Sequence, residues 1–451
     1  MADTSLTIFM YPWFAMGHLT PYLHTANKLA ARGHKVFLVV PPKMLSNLEK
    51  FNVHPDLIKL IPLPLPHVEG LPSQVESSAE IPIHVQPFLR HAMDLTEPTI
   101  ESLLQETKPH FIFFDLMYWV PFLARRLGVK AIHFSVVSPA SMGFLLSEGP
   151  SIESLMSGPP GFPSSIKLYK HVARELQFFD GEKEVGSGLT IKQQLITSLC
   201  ESDAIGFKTC RETEGSYTEY IENYFKKPVL LTGPVIPKQP SSSLEEKWTK
   251  WLEKFRPKSV IYCAFGSEAI LPMNQFQELL KGFELTGHPF FAALKPPSEA
   301  EAVEEALPVG FKERTQERGL VLGCWVQQQL ILKHPSVGCF VTHCGYGSVW
   351  EGLMSECQLV LLPHVADQYV HARLLSADLK VGVEIEKGDD DGLFTKEGVH
   401  EAIRAVMEVD SEIGKVVKRN HDKWRDFLSS ERLEDSYMDG FVQNMRSLLD
   451  N

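Results

Sequence analysis

Two patterns of apolar positions alternate along the chain: short continuous runs, and longer stretches with a helical period. LTIFMYP (6–12) predicts a first strand, followed by the loop WFAMGH. Thr20 then reads as an N-cap with Pro21 at the first helical position, and the helix PYLHTANKLAAR ends at Gly33. KVFLVV (35–40) is the second predicted strand, so the chain opens as β-α-β and implies a parallel sheet. The proline-rich stretch 61–72 reads as a loop, and a long helical pattern covers about 83–106. FIFFD (111–115), VKAIHFS (129–135), DAIGF (203–207) and PVLLTGP (228–234) are further strands. Segment 147–165 reads as a flexible connection, and a helix lies near 189–200.

The second half repeats the alternation without repeating the sequence. SVIYCAFGS (259–267), PFFAALK, LVLGC, VGCFV, LVLLP and VGVEI are predicted strands, and a helix over 273–286 ends at Gly287. Helical patterns fill 394–408, 411–428 and 434–449. The expected architecture is α/β, two facing Rossmann-like domains with a cleft between them: 1–237, a polar linker at 238–252, and 253–433.

Composition narrows the class. A chain of 451 residues exceeds one core and suits two domains of roughly 200 residues. Its formal net charge of −12 disfavours nucleic acid and anionic membrane as general partners. No apolar run approaches the ~20 residues of a membrane span, and the first twenty residues contain no Lys or Arg to open a signal peptide. Seven cysteines without a CxxC pair read as reduced, buried thiols of a cytosolic protein.

The chemistry concentrates between Trp325 and Gln368. After the strand VGCFV come His343, Cys344, Gly345, Tyr346, Gly347 and Ser348, then the helical segment SVWEGLMSEC. A strand that delivers a Gly-x-Gly-Ser turn to a helix N-terminus builds an anion site, because unpaired N–H groups and the helix dipole face the anion. Glu351, one turn in, is within reach of a ribose hydroxyl, and Trp325 offers a face for a base. Together these make a nucleotide site. In the first half, His18 follows the first strand and Asp115 ends a later one. Strand ends in a parallel sheet converge on one rim, where open α/β folds bind ligands. There His18 is the candidate general base and Asp115 the carboxylate that fixes its tautomer. Phe14, Met16, Tyr118, Trp119, Met142 and Phe144 lie in or beside cleft-edge loops and are candidates to wrap a flat aromatic acceptor, with core packing the equal alternative for each.

Over its full 44 residues, the stretch Trp325–Gln368 resembles the signature box of the plant family-1 UDP-sugar glycosyltransferases, which runs from Trp-x-Pro-Gln through His-Cys-Gly-Trp-Asn-Ser to Asp-Gln. The resemblance implies the GT-B fold, with a last helix (about 434–451) packed back on the first domain. It implies a monomer that takes a UDP-sugar and a small-molecule acceptor as its partners, with no metal and no other cofactor. By that likeness Trp325 stacks on uracil and the Val326 backbone pairs the base edge. Gln328 and Glu351 hold the ribose, and His343, Gly347 and Ser348, beside the Ser267 turn, meet the diphosphate. Asp367 and Gln368 hold the sugar hydroxyls. Tyr346 and Gly347 replace the usual Trp and Asn, and Gln327 replaces Pro. The Tyr/Phe-Gly-Ser version is similar to the branch that adds a sugar to a sugar already attached to a flavonoid, phenylethanoid or terpenoid.

Gln368 favours glucose as the donor sugar, and Tyr346-Gly347 keeps rhamnose and xylose open. An aglycone phenol stays open as an alternative acceptor. A nicotinamide oxidoreductase on the same fold units is disfavoured because Trp350 stands where the third glycine of a dinucleotide fingerprint belongs. A sugar-nucleotide binder without catalysis would lack His18 or Asp115, and both are present.

Overall fold

A computed structural model describes residues 5–147, 151–163, 166–181, 183–234, 243–266, 269–408 and 410–450. The first lobe holds seven strands: β1 (Thr7–Tyr11), β2 (Lys35–Val40), β3 (Ile58–Pro62), β4 (Phe111–Phe114), β5 (Lys130–Ser135), β6 (Ala204–Phe207) and β7 (Val229–Leu231). The second holds six: β8 (Val260–Ala264), β9 (Phe290–Ala293), β10 (Gly319–Leu322), β11 (Val337–Thr342), β12 (Gln358–Leu361) and β13 (Gly382–Glu384). Every pairing between these strands is parallel. The orders are β3-β2-β1-β4-β5-β6-β7 and β10-β9-β8-β11-β12-β13. Central strands such as FIFF and VGCFVT are buried at every position, as parallel sheets covered on both faces require.

Each order reverses once, between β1 and β4 and between β8 and β11, and these reversals open the crevices where such sheets bind ligands. Tyr11 pairs with Phe114, so the segments carrying His18 and Asp115 leave the sheet side by side. Thr342 pairs with Ala264, which sets His343 beside Phe265 and Gly266. The last helix, Glu431–Leu449, returns to the first lobe. Its Met438, Phe441, Val442 and Met445 join the core formed by Ile8, Met10, Phe113 and Phe134, and Arg32 bonds Asp435 and Asp439 at 2.9 and 2.7 Å.

Several elements depart from expectation. The first helix begins at Met16, so His18 sits in its opening turn rather than in a loop, and Pro21 lies inside the helix. The ladder starts where His18 and Leu19 both donate to the Ala15 carbonyl, at 2.9 Å, five residues before the expected Thr20 cap. Pro21 forfeits the bond its N–H would make to the Gly17 carbonyl and crowds that carbonyl. The pattern at 83–106 splits into a 3-10 turn (Ile83–Val85) and two helices (Gln86–Asp94 and Glu97–Thr107). Pro98 has no N–H to continue the first helix into the second. β3 intrudes on the predicted loop as an edge strand, where its terminal Pro62 is tolerated. A short helix, Ile152–Met156, capped by Ser151, lies within the stretch read as flexible, and the helix Lys170–Gly181 was not expected. Of the expected linker, 238–242 lies outside the described residues, while 246–252 forms a helix whose Trp248 and Leu252 enter the second lobe's core. All seven cysteines are free thiols; Cys200 and Cys324 are exposed, which corrects the expectation that all are buried.

Buried histidines set an acid limit on this fold. Burial lowers His24 to about 3 and His133, His343 and His421 to about 4, from an unfolded value of 6.5. Between those values the unfolded chain binds more protons than the native one, so stability rises with pH through the window and is lost as pH falls through it. Each group contributes a slope of up to about 1 kcal/mol per pH unit. The melting temperature is therefore expected to fall steeply between about pH 6 and pH 4, as scanning calorimetry will read. Replacing His133, whose Nδ1 lies 3.0 Å from Ser198 Oγ, by Gln is expected to flatten that slope.

Candidate functional site

Asp115 follows β4 and is buried; its Oδ1 accepts from the Trp13 and Leu116 backbone N–H groups, both at 2.8 Å. Its Oδ2 lies 2.5 Å from His18 Nδ1. With the carboxylate held from behind, Nδ1 must carry the proton, and Nε2 is left as a base on the outer side of the ring. The His18 side chain is 22% exposed, against 3% for Asp115, so the imidazole is the open end of the pair. Across the cleft, burial raises the Asp367 carboxyl, with His371 and then His18 pulling it back down. The candidate base of one lobe thus lies within electrostatic reach of the candidate sugar-binding carboxylate of the other.

In the second lobe, Gly345 is the N-cap of the helix Tyr346–Leu353, and a Cβ there would collide with His343 Nε2. A Cβ added at Gly347 would meet nothing within 4 Å, so the helix N-terminus, where backbone N–H groups suit an anion, is uncrowded on that side. His343 is neutral, pushed down to about 4 chiefly by burial. Ser267 lies outside the described residues, next to Gly266, whose φ of 69° needs glycine against the His343 ring. Glu351 accepts from Gln328 at 2.7 Å and from Gln329 at 2.9 Å; Gln328 also reaches Ser348 Oγ at 3.2 Å. A polar cluster of that composition matches the hydroxyl pair of a ribose. Gln368 accepts from the His364 and Val365 backbone N–H groups at 3.0 and 3.3 Å, which leaves its amino group as a donor.

Trp325 is 78% exposed, an unusual position for a ring of that size, and it is available to stack. Val326 is buried, and its carbonyl accepts from Gln328 N–H at 2.9 Å, which turns the chain under the ring. Gln327, where the family signature has Pro, bonds the backbone of Ser243 (3.1 Å) and Glu245 (2.8 Å), pinning the segment after the linker to the box. Trp325→Ala is expected to weaken UDP binding by roughly 5- to 150-fold, the loss of one stacked base, without a change in melting temperature; calorimetric titration measures it.

Two groups of expected residues are placed differently. The Tyr346 side chain is not presented to a donor sugar: it is 8% exposed and points into the first lobe. Only its backbone remains at the helix N-terminus. Of the six acceptor candidates, four are packed among core residues. Phe14 meets Tyr11 edge-on, Trp119 donates to Asp94 at 3.0 Å, Met142 joins Phe207 and Ile221, and Phe144 meets Phe162 edge-on. Met16 and Tyr118 keep part of their surface exposed. Residues that local reading passed over hold the lobes together: Ser138 N–H donates to His371 Nε2 (3.4 Å), Ser141 Oγ to the Asp367 carbonyl (3.2 Å), and Tyr217 to Asp378. No local signal marks them, because each contact spans more than 150 positions. Among the described residues no group of three His, Cys, Asp or Glu is placed to hold a metal ion, and no helix is long and apolar enough to cross a membrane.

Residues 307–423 match the family model described as UDP-glucoronosyl and UDP-glucosyl transferase. The chain is 51% identical over all of both chains to a cyanidin 3-O-galactoside 2''-O-xylosyltransferase of Actinidia chinensis var. chinensis. It is 48% identical to an anthocyanidin 3-O-glucoside 2''-O-glucosyltransferase of Ipomoea nil, over 99% of each. Among solved structures, Glycyrrhiza uralensis UGT73P12 in complex with glycyrrhetinic acid 3-O-monoglucuronide superposes with a TM-score of 0.81 at 22% identity, covering 99% of this chain and 96% of that one. Phytolacca americana UGT2 with UDP-2fluoro-glucose and pterostilbene gives 0.78 at 23%, covering 99% and 100%.

Proposed function

The chain belongs to the UDP-glycosyltransferase family, and from that premise we propose that it extends a flavonoid glycoside by moving a sugar from a UDP-sugar onto a hydroxyl of the sugar already attached. The observation that carries the mechanism is the His18–Asp115 pair, 2.5 Å apart at the sheet reversal and within electrostatic reach of Asp367. The His18 Nε2 takes the proton of the acceptor hydroxyl as its oxygen forms a bond to the anomeric carbon. Asp115 steadies the imidazolium that results. The bond from that carbon to the UDP oxygen breaks, and the departing diphosphate charge is met by the backbone N–H groups at Gly347 and Ser348. The acceptor enters opposite the leaving group, so the anomeric configuration inverts.

Glucose is the donor favoured by Gln368, whose amino group suits a hydroxyl while its Oε1 is held by backbone N–H groups, and Asp367 accepts from another. The relatives divide between xylosyl and glucosyl transfer, so the donor sugar is settled by experiment. A panel of UDP-glucose, UDP-xylose, UDP-rhamnose, UDP-galactose and UDP-glucuronate against anthocyanidin and flavonol 3-O-glycosides and their aglycones, read by mass spectrometry, is expected to give disaccharide-bearing products from glycosides. Products from aglycones alone would overturn this reading.

A further inference from the structure

Tyr346 is the first residue of the helix whose next two positions face the candidate diphosphate site, yet its side chain leaves that site for the other lobe. Its hydroxyl lies 2.8 Å from Glu214 Oε2 and 3.2 Å from the Lys208 carbonyl. Its ring stacks on His371 at 5.0 Å, and His371 is itself bound on both sides, Nδ1 to the Cys344 carbonyl (2.9 Å) and Nε2 to Ser138 N–H (3.4 Å). Glu214 is only 1% exposed, and the helix Arg211–Phe225 breaks its helical geometry at that one residue, turning the carboxyl back to Thr209 Oγ1 at 2.6 Å. A tyrosine has one hydroxyl proton, and two acceptors stand around it. A neutral Glu214 satisfies the set: its O–H donates to the Tyr346 oxygen, and the tyrosine O–H donates to Lys208. Burial drives the carboxyl the same way, against the pull of Thr209 and Tyr346. A charged carboxylate here would have no cation bonded to it among the described residues, a costly arrangement.

We propose that Tyr346 and a neutral Glu214 clasp the lobes together and are positioning residues for transfer, holding the diphosphate-binding turn at a set distance from the His18 base. The inference rests on the sugar-transfer reading above. Neither residue touches the reacting atoms; the clasp acts through the backbone of Gly347 and Ser348, one and two positions along from Tyr346. A displacement of about an ångström at such a site lowers turnover by up to roughly 100-fold while leaving binding groups intact.

The test compares Tyr346→Phe, Glu214→Ala and Glu214→Gln with the wild type in three measurements: kcat on the best donor and acceptor pair, UDP affinity by calorimetry, and backbone hydrogen exchange. Tyr346→Phe and Glu214→Ala are expected to lower kcat by roughly 10- to 100-fold with UDP affinity unchanged. Both are expected to speed exchange at 207–214 and 345–350 together. Glu214→Gln keeps a donor for Tyr346 and is expected to retain most of the turnover, with Thr209 re-aimed at Thr213 Oγ1, 3.3 Å away. Equal kcat and exchange in all variants would overturn the clasp, as would a loss of UDP affinity matching the loss of turnover. Were the wild type to transfer no sugar to any acceptor, the transfer reading would fail while the exchange comparison still decided the clasp.

Discussion

His18→Ala is expected to lower kcat by roughly 10²–10⁴-fold, the usual contribution of a positioned base, and to leave UDP affinity nearly unchanged. The separation of effects follows from the architecture. The proposed donor contacts lie between Trp325 and Gln368 in the second lobe, whereas His18 belongs to the opening turn of a first-lobe helix. Its ring is partly exposed and fills no core, so truncation leaves no large cavity. Asp115 keeps its two backbone donors on Oδ1, so the carboxylate left behind remains half satisfied. Initial-rate kinetics with saturating donor, set beside a UDP titration, separate the two quantities. Near-normal turnover in the purified variant would remove His18 from the mechanism.

How far the sequence discloses this arrangement depends on whether the information is local. The helix Met273–Thr286 is legible to its last residue because Gly287, in the left-handed conformation, ends it within the same stretch of chain. β2 is legible because a continuous apolar run between a helix stop and prolines has few other solutions. The donor box is legible for the same reason. Strand, turn and helix follow each other without interruption, and Gln328 and Glu351 need only the strand between them to meet.

Tertiary packing hides the rest. Ala15 caps the first helix with no side-chain bond, so only its extended backbone marks the start, and the Thr20-Pro21 pair is a stronger local signal in the wrong place. Aromatic residues beside a cleft have the same composition as those beneath it, which is why Phe14, Trp119, Met142 and Phe144 could be sorted only by burial. Tyr346 is the sharpest case. Its position in the box suggests a donor contact, but its partner Glu214 lies 132 residues away in the other lobe.

Asp115→Asn is expected to cost about as much as losing the base, roughly 10²–10³-fold in kcat, although it alters only one atom. The asparagine oxygen can keep the bonds from Trp13 and Leu116, which places the amide NH₂ against His18 Nδ1. An NH₂ group can only donate, so Nδ1 must become an acceptor and the ring proton moves to Nε2. The nitrogen meant to take the acceptor's proton is then already protonated. Asp115→Ala behaves differently, because it strips the buried Trp13 N–H of its partner, at about 1–3 kcal/mol, and the part-buried Leu116 N–H as well, so stability falls along with activity. In the proposed mechanism both residues serve one proton transfer, so His18→Ala/Asp115→Asn is expected to be no slower than His18→Ala alone. Multiplied losses in that double variant would mean that Asp115 acts by some route other than the imidazole.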